Sequence, residues 1–104
     1  VKIPKIKRNN THAYHLYPIR IDFNKFKTNK ESFLKRLKNI NINLQVHYIP
    51  IHLQPYYKKN FKYKKGNFPV AEKFYSEEVS LPIYYNLKTN EVNYVIKNIK
   101  KYLR

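Results

Sequence analysis

Every short apolar run in this chain that could form a strand contains or meets a proline. Pro18 lies inside AYHLYPIRID (13–22), Pro50 follows LQVHYI (44–49), and Pro82 interrupts SLPIYY (80–85). Proline has no N–H to give a ladder, so it is confined to strand ends, edges and bulges. The three runs therefore read as short strands of a small sheet. Pro18 marks an edge or a bulge, and Leu16, Ile19 and Ile21 around it do not alternate strictly. Pro82 marks a second edge.

Helical patterns fall between these runs. Thr28 and Glu31 have the spacing of a capping box, in which each side chain satisfies a backbone N–H of the first turn. Phe33, Leu34, Leu37 and Ile40 follow at helical spacing, with Lys30, Lys35, Arg36 and Lys38 outside, which predicts a helix over 29–39. Asn39, Asn41 and Asn43 close it, because asparagine tolerates the left-handed conformation that ends helices. Pro69 fits the first turn of a second helix reaching about Glu78, with Ala71, Phe74 and Tyr75 on its apolar side. Thr89 is placed to cap a third, in which Val92, Val95, Ile96, Ile99 and Leu103 form one stripe. Glu91 suits its positive end, and Lys100, Lys101 and Arg104 its negative end. Residues 50–68 are expected to be irregular around the only glycine, Gly66, and so long a loop is usually functional or mobile. The order β-α-β-loop-α-β-α predicts an α/β (α+β) fold, a small two-layer sandwich of about three strands with three helices.

At 104 residues the chain supports one domain. Residues 1–10 are basic and read as a linker leading in from another domain; residues 11–104 read as the domain itself. There is no methionine, and the expectation is a piece of a longer protein. There is no cysteine, hence no disulfide and no thiolate metal site. No apolar run approaches the ~18 residues of a membrane span, and no secretory segment is visible. A cytoplasmic location without a membrane partner is expected. The formal net charge of +16 points to a polyanionic partner such as nucleic acid, a membrane surface or a phosphorylated ligand. It is equally what a coding sequence rich in A and T produces: Lys, Asn, Ile, Tyr and Phe abound, and the lysines are spread over every segment.

Chemistry concentrates in QVHYIPIHLQPYY (45–57). Two imidazoles on or just past a strand fit a metal site, a binding edge or a decorated scaffold. Zinc needs three or four ligands. His12 and His15, or His47 and His52, supply two each, and the carboxylates lie mostly on the helices. No nucleophile elbow is present, and one glycine excludes dinucleotide and P-loop motifs. YYKKNFKYKKGNF (56–68) interleaves rings with lysines and fits a single-strand nucleic-acid module, or a loop whose rings pack while its lysines stay solvated. His47, Tyr48 and His52 fit either backbone-bonded scaffold or the rim of a polar-ligand site where a strand runs into a long loop.

HAYHLYPIRID (12–22), QVHYIPIHLQPYY, AEKFYSEEVSLPIYYNL (71–87) and EVNYVIKNI (91–99), in that order, resemble the C-terminal part of the DegT/DnrJ/EryC1/StrS family of sugar aminotransferases. Within it the likeness is to enzymes aminating a UDP-linked 4-keto-6-deoxy-N-acetylhexosamine, the pseudaminic-acid type. The resemblance implies the small domain of a fold-type I enzyme, which closes over a nucleotide-sugar in a homodimer with shared active sites. It implies an amino-acid donor, glutamate, and pyridoxal phosphate held by a large domain outside this sequence. The lysine that carries the cofactor belongs to that large domain, so the chain alone is expected to be inactive. It assigns substrate contacts to Gln45, Val46, His47, Tyr48, Ile49, Pro50 and His52, with Tyr14 and His15 on the entering strand. The family's usual Gly-Ile-Gly before this strand is Asn41-Ile42-Asn43 here, and the turn is expected to survive because asparagine takes the same backbone angles.

Overall fold

The computed structural model describes residues 1–104. Two antiparallel strands, β1 (Tyr17–Arg20) and β2 (Glu78–Leu81), pair from Tyr17↔Leu81 to Arg20↔Glu78. Single bridges widen this ribbon on both sides. Lys2 exchanges backbone bonds of 2.7 and 2.8 Å with Arg20, and Gln45 exchanges bonds of 3.2 and 2.8 Å with Ser80. The class is the expected α+β, with two strands in place of three.

The run expected as a strand over 44–49 contributes only the Gln45 bridge. Its register places His47 opposite Glu78, but the His47 N–H bonds to the Glu78 carboxylate (3.0 Å) and not to its backbone. The His47–Tyr48 peptide bond is cis, and Pro50 follows with no N–H to offer. The run expected over 80–85 lies earlier, at 78–81, because the ladder stops where Pro82 lacks a donor.

Four helices form, one more than expected: α1 (Lys30–Lys38), α2 (Pro55–Phe61), α3 (Pro69–Glu77) and α4 (Thr89–Tyr102). Helix α2 falls in the stretch read as irregular. Pro55 occupies its first turn, where a missing N–H costs nothing, and the Gln54 carbonyl accepts the Lys58 N–H at 3.0 Å. Two caps sit one residue from their expected places. Asn29, not Thr28, caps α1, its Oδ1 accepting the Ser32 N–H at 2.8 Å. Lys88, not Thr89, precedes α4, and Glu91 accepts the Lys88 N–H at 2.8 Å. Asn41 takes φ 61° after α1, so the turn forms without glycine. The Ile42 N–H then closes back on the Leu37 carbonyl at 3.0 Å.

The core lies between the ribbon and the pair α1 and α4. Ile19, Ile21 and Val79 meet Phe33, Leu37 and Ile42, with Ile99 and Leu103 closing one end. Phe23 packs edge-on against Phe33 at 5.5 Å. The stripe of α4 is only half used: Ile99 and Leu103 are buried while Ile96 is exposed. The whole chain exposes 8751 Å². A free-standing globular protein of 12.8 kDa exposes about 6,300 Å². The radius of gyration is 15.7 Å, against about 13 Å for a compact chain of this length. The fold therefore presents far more surface than its mass requires.

Phe33 is fully buried at the centre of this small core. Phe33→Ala is expected to cost about 3–5 kcal/mol, a large share of the whole stability of a domain this size. Urea unfolding followed by circular dichroism checks this, and a midpoint unchanged from wild type contradicts the core assignment.

Candidate functional site

The strand period places Val79 in the core and turns Glu78 and Ser80 together to another side. Both are buried. Glu78 Oε2 accepts the His47 N–H at 3.0 Å, and Oε1 accepts the Ser80 hydroxyl at 2.6 Å. Ser80 Oγ in turn lies 2.8 Å from His47 Nδ1. His47 is thus held twice, by its backbone and by its ring. Lys30 of α1 approaches from beneath: its ammonium donates to the Tyr75 carbonyl at 2.6 Å and lies 4.9 Å from the Tyr75 ring. Burial lowers the pKa of Lys30, and the nearby Glu78 carboxylate partly offsets this.

His47 stands in the wall of an open groove of about 720 Å³. Tyr48, Ile49, Pro50 and Ile51 also line it, together with Phe68 before α3 and Val70 and Phe74 on α3. Tyr48 meets the His47 ring edge-on at 4.7 Å and is 73% exposed, so its hydroxyl is free to reach a ligand.

His52 does not line this groove. It is buried, and its Nε2 donates to Glu72 Oε1 at 2.8 Å. The same carboxylate accepts the Gly66 N–H at 2.8 and 3.0 Å and the Phe68 N–H at 3.4 Å. Glu72 therefore ties the turn at 51–53 and the loop at 66–68 to α3. Gly66 has φ +97° with nothing near its missing Cβ, so the left-handed backbone and not crowding calls for glycine. Hydrogen bonding from His52 lowers the pKa of Glu72; desolvation opposes this, and the Gly66 and Phe68 N–H groups add to the lowering.

Among the residues named from sequence, His47, Tyr48, Ile49 and Pro50 come together in the groove. Gln45 is exposed on the ribbon edge, and Val46 is half-buried beside it. Tyr14 and His15 are exposed and lie outside the groove; Tyr14 (φ 50°) packs near His12 and Tyr17. Sequence reasoning missed Glu78, Ser80 and Glu72. The expected helix ran to about Glu78 and the expected strand began at Ser80, so the pattern did not set the two side by side; only β2 beginning at Glu78 does so. The rings of 56–68 stack largely on one another, Tyr57 on Phe61 at 5.8 Å and Phe61 on Tyr63 at 6.0 Å. No helix is long and apolar enough to cross a membrane.

The sequence profile of the DegT/DnrJ/EryC1/StrS aminotransferase family matches residues 1–100. An uncharacterized protein of Methanocaldococcus jannaschii is 47% identical over 98 residues, covering 94% of this chain and 25% of that protein. The UDP-4-amino-4,6-dideoxy-N-acetyl-beta-L-altrosamine transaminase of Helicobacter pylori is 37% identical over 87 residues, covering 84% of this chain and 22% of its own length. The fold superposes on Helicobacter pylori PseC, an aminotransferase involved in the biosynthesis of pseudoaminic acid. The TM-score is 0.75 at 34% identity, over 86% of this chain and 23% of that one. The chain thus spans about a quarter of the length of the relatives it matches.

A carboxyl lowered on folding adds stability that is complete above its unfolded value, 4.5 for Glu72, and is lost as pH falls through the lowered folded value. Wild type should therefore lose stability as pH falls below about 5, and Glu72→Gln should follow a shallower slope there. Urea midpoints measured across this range test it; parallel curves would show that Glu72 does not clamp the loop.

Proposed function

Because the chain belongs to the DegT/DnrJ/EryC1/StrS aminotransferase family, we propose that it is the C-terminal small domain of a nucleotide-sugar aminotransferase. In that role residues 11–104 cover the substrate, and residues 1–10 lead in from the large domain. The full enzyme transfers an amino group from glutamate to a UDP-linked 4-keto-6-deoxy sugar, and pyridoxal phosphate on the large domain would supply the chemistry that carries it. The names carried by the Helicobacter pylori relatives support this substrate class.

One observation carries the proposal: the doubly held His47 beside Tyr48 in an open groove, on a chain exposing far more surface than its mass requires. In the covered site His47 and Tyr48 hydrogen-bond the polar sugar, while Ile49 and Pro50 wall off water. Gln45 and Val46 lead the chain to that rim. His52, through Glu72, holds the turn that follows. Tyr14 and His15 keep the weaker place of the entering strand. The excess of positive charge draws the anionic diphosphate toward the groove.

The groove lining contains no lysine and no carboxylate. These residues do not fit a covalently held pyridoxal phosphate, so the cofactor and the amino transfer are assigned to the large domain. Two copies of the full enzyme form the homodimer in which the small domain closes the site.

In the full-length enzyme, His47→Ala is expected to lower kcat/KM for the nucleotide-sugar by about 10- to 100-fold. The half-reaction with glutamate should keep its rate, and the isolated chain should show no turnover. Equal losses in both half-reactions, or turnover by the isolated chain, would overturn the assignment.

A further inference from the structure

A serine has one hydroxyl hydrogen. Ser80 gives it to Glu78 Oε1 at 2.6 Å, while Oε2 of the same carboxylate takes the His47 N–H. With that hydrogen committed, Ser80 Oγ can meet His47 Nδ1 (2.8 Å) only as an acceptor. The ring hydrogen therefore belongs on Nδ1, since the bond made at one imidazole nitrogen decides the state of the other. In the neutral imidazole Nε2 is then left with a lone pair. It has no hydrogen-bond partner in the protein and is not among buried orphan atoms, so it is open to solvent on a residue that lines the groove. His52 has the opposite arrangement, because its Nε2–H donates to Glu72.

The surroundings hold the network in this state. The Lys30 ammonium of α1 is engaged by the Tyr75 carbonyl at 2.6 Å. Arg20 of β1 is engaged by Glu77 at 2.6 Å, and Tyr48 presents a ring, not a charge, to His47.

We infer that Ser80 and Glu78 are positioning residues that hold His47 as a hydrogen-bond acceptor toward the groove. At its own position His47 then selects a ligand group that donates, a sugar hydroxyl or an amide N–H, over a bare phosphate oxygen. This selection rests on the nucleotide-sugar function proposed above. A phosphate oxygen at the same place would set lone pair against lone pair.

The test uses full-length protein labelled with ¹⁵N-histidine, in which long-range ¹H–¹⁵N correlation shows which ring nitrogen carries hydrogen. The His47 signal is identified by its loss in His47→Asn. Wild type should show Nδ1–H at His47 and Nε2–H at His52. In Ser80→Ala the His47 hydrogen should shift toward Nε2 while His52 stays unchanged. The same variant should raise KM for the nucleotide-sugar about tenfold, the worth of one hydrogen bond, with kcat within about twofold. Ser80→Thr, which keeps the hydroxyl, should restore both readouts. Nε2–H at His47 in wild type overturns the inference, as does Ser80→Ala with tautomer and KM unaltered. A wild-type enzyme that aminates no nucleotide-sugar overturns the function proposed above, and the tautomer measurement still decides the state of His47.

Discussion

The buried carboxylate of Glu78 is the constraint on which the rest of this small structure depends. A carboxylate taken out of water costs several kcal/mol unless every oxygen finds a donor. Glu78 finds the His47 N–H and the Ser80 hydroxyl. Satisfying it fixes three things together. The ladder between residue 45 and β2 stops after one bridge, the chain turns away at His47, and the imidazole comes to the groove wall. Strand β2 is four residues long, yet its alternation serves both purposes. Val79 seals the core against Phe33 and Leu37, while Glu78 and Ser80 build the site.

Acidic residues are used sparingly throughout. There are six against 22 lysines and arginines. Glu77 engages Arg20, Glu72 gathers His52 with the 66–68 loop, Glu91 closes the start of α4, and Glu78 orders the site. With most carboxylates bound to partners within the fold, the positive excess stays largely uncompensated at the surface. That surface is also unusually large, with Val70, Tyr48, Ile51 and Tyr56 each more than 60% exposed. Apolar side chains left open on this scale mark an interaction surface.

Much of the architecture was legible from local rules. Helices α1, α3 and α4 follow apolar spacing and turn-forming ends, and the Asn41 turn follows from what asparagine tolerates. Helix α2 was not legible in the same way. Its seven residues are too few to show a repeating apolar stripe, and Pro55 reads as a breaker until its place at the first turn is seen. Both caps were displaced by one residue: Asn29 Oδ1 accepts the Ser32 N–H, and Glu91 accepts the N–H of Lys88, which takes the cap position of α4.

The sequence by itself determined the family resemblance, the α+β class, and the stretch from His47 to Pro50 as a place of interest. Residue types and short-range spacing carry that information. Only the tertiary structure decided what the two histidines do. Glu78 lies 31 residues from His47, and Glu72 lies 20 from His52. No local pattern links such pairs. The pairing of β1 with β2 and the docking of α3 bring the carboxylates in, and the direction of each bond then leaves His47 open to the groove and turns His52 inward.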